Sequence, residues 1–204
     1  MRALIVVDMQ NDFMPGGPLG VPGADEIVGL INEAIARCDL VVATQDWHPA
    51  GHGSFASNND GRTPGELIEL NGLPQVLWPD HCVQGTPGAE FVAGVRSERF
   101  AAVIRKGTDP SVDSYSGFAD NGQRIRTGLD GLLRARGVEE VFVCGVATDY
   151  CVRFTAEDAA AAGFRVTLLE DAARGVELNP GDVAAALDAL RAAGVSISTV
   201  ASAL

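Results

Sequence analysis

The chain has 204 residues, 47% of them hydrophobic, which suffices for one substantial core. Fifteen Lys and Arg against 27 Asp and Glu leave a net charge of −12. That balance argues against non-specific binding to nucleic acid or to an anionic membrane surface, since both need basic patches.

Ala3–Val7 is a short continuous apolar run, as expected of a strand buried on both faces. A Gly/Pro-rich stretch follows, and Ala24–Arg37 then carries Ile27, Leu30, Ile31 and Ile35 at helical spacing. Leu40–Thr44 is a second strand. Residues 45–90 lack sustained periodicity, and so long a loop inside a domain is usually functional or carries small elements of its own. Beyond it the pattern predicts strands over Ala101–Arg105, Glu140–Cys144, Arg165–Leu169 and Ser196–Val200. Helices are predicted over Gly122–Arg136, Tyr150–Ala162 and Pro180–Ala193. The alternation predicts one α/β domain over residues 1–204, with a mostly parallel six-stranded sheet between helices on both faces. No run nears the ~20 apolar residues of a spanning helix, and the start is too short for a signal peptide. A cytoplasmic protein is expected, and Cys38, Cys82, Cys144 and Cys151 read as thiols.

In such sheets ligands bind beyond the carboxyl ends of the strands. The residues there are Asp8, then Gln45–His48, then Lys106, then Gly145–Cys151. Lys106 is the only lysine among the 15 basic residues. An ammonium is a compact point charge where a guanidinium is a wide planar fork, so a tight site would keep lysine; chance is the competing reading. Cys151 sits where a strand turns into a helix. Helix N-termini and nearby cations lower a thiol's pKa, and free N–H groups there can hold an oxyanion. Thr148 or Asp149 would cap that helix. Cys38 and Cys144 read as buried structural thiols. Asp8, beside a thiol and an ammonium, can act as general base and acid.

All three histidines, His48, His52 and His81, fall in the long loop region. Asp46 and His48 stand at i and i+2, which share a side in extended chain. His81 could close a mixed O/N site with open positions, the pattern of a catalytic rather than a structural metal. Surface histidines on loops are the ordinary alternative. Cys82, next to His81, points the other way in extended chain and reads as a bystander.

Five segments, in order along the chain, resemble the nicotinamidase branch of the isochorismatase-like cysteine hydrolases. They are Val7-Asp-Met-Gln-Asn-Asp-Phe13, Gln45-Asp-Trp-His-Pro-Ala-Gly-His52, Leu77-Trp-Pro-Asp-His-Cys-Val-Gln-Gly85, Arg105–Gly107 with Asp113–Phe118, and Gly145–Val152. The resemblance implies a triad of Asp8, Lys106 and Cys151 and a divalent metal on Asp46, His48 and His81, with zinc ahead of iron or manganese. It implies an oxyanion hole from the N–H groups of Ala147 and Cys151, beside a cis peptide between Val146 and Ala147. Phe13, Leu19, Trp78 and Tyr115 would form the substrate pocket. The implied activity is hydrolysis of nicotinamide to nicotinate and ammonia in NAD salvage, with pyrazinamide as a second substrate. The rival readings are an amidase of the same family acting on another small amide, a catalytically silent scaffold and a nucleotide-binding module. The last lacks support, because no G-x-G-x-x-G turn follows the first strand. A homo-oligomer is compatible with the sequence, which does not specify one.

Overall fold

A strand that is apolar at every position must be covered on both sides, and Arg2–Val7 (β1) is. The computed structural model describes all 204 residues. It places β1 inside a six-stranded parallel sheet, between Leu40–Asp46 (β2) and Glu140–Val146 (β6). Along β1, Leu4 and Val6 face one core while Ala3, Ile5 and Val7 face the other. The first core is closed by Val28–Arg37 (α1) and a short C-terminal helix, Val200–Ala203 (α5). The second is closed by Leu129–Ala135 (α2), Arg153–Ala161 (α3) and Asp182–Ala192 (α4). The expected three-layer α/β/α architecture is the one found.

The remaining strands are Ala102–Lys106 (β5), Arg165–Arg174 (β7) and Ser196–Ser198 (β8), and the sheet order is β5-β2-β1-β6-β7-β8. The chain builds outward from β1 on one side, then returns beside β1 with β6 and builds outward on the other. The order therefore reverses between β1 and β6, and a crevice opens beyond their carboxyl ends. Gly145 lets these two strands approach. Its φ is +110°, and a Cβ there would lie 2.1 Å from the Val7 carbonyl oxygen.

Residues 45–90 hold a small antiparallel hairpin, Leu67–Leu70 (β3) and Leu73–Val76 (β4). Isolated bridges His48 to Val83 and Phe55 to Trp78 fold the rest of this region onto the sheet's carboxyl edge. Several predicted boundaries need correction. The helix expected over Gly122–Arg136 begins only at Leu129, because the Asp120 carboxylate takes the N–H groups of Arg124 and Ile125 into a turn instead. The helix expected from Tyr150 begins at Arg153, after a π-turn over Thr148–Val152. The helix expected from Ala24 begins at Val28. Strand β7 runs five residues past the predicted Leu169, to Arg174. The last predicted strand stops at Ser198 and gives way to α5. No helix is long and apolar enough to cross a membrane.

Candidate active site

Parallel pairing of β2 with β5 sets Asp46 directly beside Lys106, each the last residue of its strand. Residues in register on adjacent strands project to the same face, so the carboxylate and ammonium meet. Lys106 Nζ lies 2.5 Å from Asp46 Oδ1, 2.8 Å from Asp8 Oδ2, 3.0 Å from the Ser114 carbonyl oxygen and 3.3 Å from Cys151 Sγ. Its side chain has no solvent exposure. Asp8 is buried as well; its Oδ1 accepts the Thr44 hydroxyl at 2.6 Å, and its N–H donates back to that oxygen. The structure thus brings Asp8, Lys106 and Cys151 together and adds Asp46, Thr44 and Ser114 to them.

Burial and charge compete here. Burial raises the Asp8 pKa to about 6, Lys106 pulling it down and Asp46 pushing it up. For Lys106, burial disfavours the ammonium, but Asp46 and Asp8 outweigh it and the pKa rises well above the ordinary lysine value. For Asp46, burial opposes ionisation, yet Lys106 and His48 win and keep it a carboxylate. Cys151 corrects an expectation. Burial pushes the thiol pKa well up, and Lys106 does not overcome burial together with Asp8 and Asp46. Burial thus favours the neutral thiol, with a carboxylate of raised pKa close by.

The turn carrying Cys151 also differs from the predicted one. No side chain caps it, neither Thr148 nor Asp149. Tyr150 and Val152 donate their N–H groups to the Ala147 carbonyl, each at 3.0 Å, which winds the turn around that oxygen. The Val146–Ala147 peptide is cis. The Ala147 N–H donates to no group of the protein, and Ala147 lines the same pocket as Cys151. Asp149 turns away, accepting N–H groups from Val176 and Glu177.

Asp46, His48 and His81 converge, with their candidate ligand atoms all within 4.8 Å of one another. His48 Nδ1 lies 2.9 Å from the Gly107 carbonyl oxygen and His81 Nδ1 lies 2.8 Å from that of Pro79. Each carbonyl holds the ring proton on Nδ1, which turns the Nε2 lone pair inward. Those Nε2 atoms stand 3.7 and 3.9 Å from Asp46 Oδ2. One hard oxygen and two imidazole nitrogens suit zinc, iron or manganese, so the residues fit a divalent metal. Gly107 keeps room for this, since a Cβ there would lie 2.3 Å from the His48 ring. His52 stands behind, its ring centroid 4.5 Å from that of His48 and its Nδ1 2.7 Å from Ser54 Oγ. Cys82 is buried in the core, and Asp12 accepts its N–H at 2.7 Å. A second convergence, Asp8, Asp46 and Cys151, already holds a cation, the Lys106 ammonium.

Between the thiol and the candidate metal ligands opens a small pocket. Phe13, Leu19, Trp78 and Tyr115 all line it, together with Ala147 and Cys151. Three residues that the sequence reading did not single out line it too: Asp113, Tyr150 and Val176. Tyr150 packs edge-on against Trp78, with ring centroids 4.9 Å apart, and lies 5.5 Å from Tyr115. Gln75 Nε2 bridges the Asp113 carboxylate and the Tyr115 hydroxyl, at 3.0 and 3.1 Å, and so steadies that wall. Tyr150 adjoins Cys151, so the turn that pointed to the thiol pointed to it as well. Val176 follows β7, whose end the sequence pattern placed too early.

Comparison with known proteins identifies the family. Residues 2–202 match the model of the isochorismatase domain. The nicotinamidase of Escherichia coli K12 is 48% identical over 206 residues, covering 98% of this chain and 95% of that protein. An Acinetobacter baumanii nicotinamidase/pyrazinamidase structure superposes with a TM-score of 0.96 at 45% identity, covering 100% of this chain and 98% of that one. A Pyrococcus horikoshii pyrazinamidase solved in complex with zinc superposes at 0.80 with 44% identity, over 97% and 98% of the two chains. A thiol, a carboxylate and an ammonium at the switch point of this sheet, in a chain so matched from end to end, place the protein in the isochorismatase family.

Proposed function

We propose that the chain is a nicotinamidase, one hydrolase domain that converts nicotinamide to nicotinate and ammonia and also accepts pyrazinamide. The observation that carries this reading is Lys106, which touches Asp8 and Cys151 on one side and the candidate metal ligand Asp46 on the other. Amide hydrolysis and recognition of a ring nitrogen then share one small pocket. The 48% identical Escherichia coli nicotinamidase supports the substrate. The pyrazinamidase solved with zinc supports that metal ahead of iron or manganese. A role in NAD salvage goes with that substrate, and we place the enzyme in the cytoplasm as part of the same reading.

The steps follow from the residues. A divalent ion on Asp46, His48 and His81 would take the lone pair of the pyridine nitrogen and so orient the ring. Phe13, Trp78 and Tyr115 flank the ring with apolar surface and exclude water. Cys151 Sγ attacks the carboxamide carbon while its proton passes to the Asp8 carboxylate. A neutral thiol beside a base of pKa about 6 makes this a transfer at the moment of attack rather than a preformed thiolate. The carbonyl π electrons move to oxygen, which the Ala147 and Cys151 N–H groups receive; one such donor is typically worth ~10²–10³ in rate. The C–N bond then breaks, Asp8 returns its proton to the departing nitrogen, and ammonia leaves a thioester. Water, giving a proton to Asp8, attacks the thioester. The C–S bond breaks, the sulfur recovers that proton, and nicotinate is released. Throughout, Lys106 holds Asp8 in place and offsets the negative charge that moves between oxygen and sulfur.

The test is product analysis with metal-loaded enzyme. Nicotinamide should yield nicotinate and ammonia in equal amounts. No ammonia with zinc, iron or manganese supplied would overturn the assignment.

A further inference from the structure

Val176 belongs to a segment with almost nothing of its own to hold it. Residues 175–178 make no backbone–backbone hydrogen bond. Glu177 has a φ of +54°, which a non-glycine residue keeps only when its surroundings enforce it. Yet Val176 lines the pocket and packs against the same core as Phe13, Ala147 and Leu19.

The enforcing group is Asp149. The residue is 7% exposed. One oxygen accepts the Val176 N–H at 3.0 Å and the other accepts the Glu177 N–H at 2.7 Å. Gly175 closes the fit, since a Cβ there would lie 2.2 Å from Val183 and 3.1 Å from Asp149 Oδ1. Asp149 sits in the π-turn that carries Cys151. The turn that presents the thiol therefore also fixes the wall of the pocket formed by Val176.

We infer that Asp149 is a positioning residue for substrate binding: it pins the segment after β7 so that Val176 closes the pocket over the ring of the amide. The inference rests on the pocket being the nicotinamide site. Two separate N–H donors need two acceptor oxygens. In Asp149→Asn one oxygen becomes an NH₂ group that faces an N–H, so that bond is lost and replaced by repulsion. Charge-assisted bonds of this kind are about twice as strong as neutral ones, so what remains is weaker too. The wall should loosen while Cys151, Asp8 and Lys106 stay in place.

The experiment has two readouts on Asp149→Asn and Val176→Ala. Hydrogen exchange of the peptide spanning residues 175–179 should quicken at least about tenfold in Asp149→Asn and stay near wild type in Val176→Ala. With nicotinamide, both variants should raise KM at least about fivefold and change kcat less than about twofold, the pattern of lost ground-state binding. Unchanged exchange in Asp149→Asn overturns the pinning. A fall in kcat at constant KM also overturns the inference, since the carboxylate would then serve the nucleophile's turn. If Asp149→Asn does not fold, an unchanged KM in Val176→Ala overturns the wall. A wild type that does not hydrolyse nicotinamide defeats the proposed function instead, and the exchange comparison still decides whether Asp149 pins the segment.

Discussion

Lys106 offers three N–H bonds to four acceptors in a space with no solvent exposure. A guanidinium would carry more atoms into that space and spread them in a plane. Lys106→Arg should therefore lower kcat/KM at least about tenfold, ~1.4 kcal/mol of barrier, in an ammonia-release assay. Near-normal turnover would mean that charge alone matters there. Composition and the strand pattern were enough to single out this lysine. Its contact with Asp46 was not legible, because that depends on β5 lying beside β2, and sheet order is set by long-range packing. Asp8 carries a pH prediction. Its pKa is raised to about 6, and the proposed attack needs its carboxylate form. So kcat/KM should fall as pH drops through about 6, by about tenfold per unit below it. An acid limb near pH 4, the range of an ordinary aspartate, would contradict the role given to burial.

Elements set the distances among these residues. The crevice exists because β6 lies against β1, and Gly145 is where they approach. Gly145→Ala would set a methyl 2.1 Å from the Val7 oxygen and strain a φ of +110°. It should destabilise the fold by at least about 2 kcal/mol in urea titration, within the usual range for overpacking. A loss under about 0.5 kcal/mol would show that the strands can separate without cost. Strands buried on both faces were legible as apolar runs, and the interior of each helix as 3.6-residue spacing. Ends were less so. Side chains such as Asp120 take backbone N–H groups that a helix would otherwise leave to its first turn, and composition does not say which will. The end of β7 mattered most. With the strand stopped at Leu169, Val176 fell outside the carboxyl edge where a pocket residue would be sought. Asp149, read as a cap, holds that distant segment instead.

At the scale of the molecule, two clusters share one edge: the thiol with Asp8 and Lys106, from β1, β5 and the turn after β6, and the candidate metal ligands from β2 and the loop region 45–90. His81 comes from that region, anchored by Asp12, which accepts the Cys82 N–H. Removing a first ligand should be more damaging than removing an outer-shell partner, which typically costs 10–100-fold in metal affinity. His81→Ala should accordingly weaken zinc binding at least about a hundredfold in chelator competition. Unchanged metal content would take His81 out of the ligand set. The two clusters serve one reaction only if the thiol is the nucleophile. The most direct test is ammonia release from nicotinamide by metal-loaded Cys151→Ala, with nicotinate binding measured on the same sample. The account predicts turnover reduced at least about 10³-fold with nicotinate still bound. Turnover near that of wild type would contradict it.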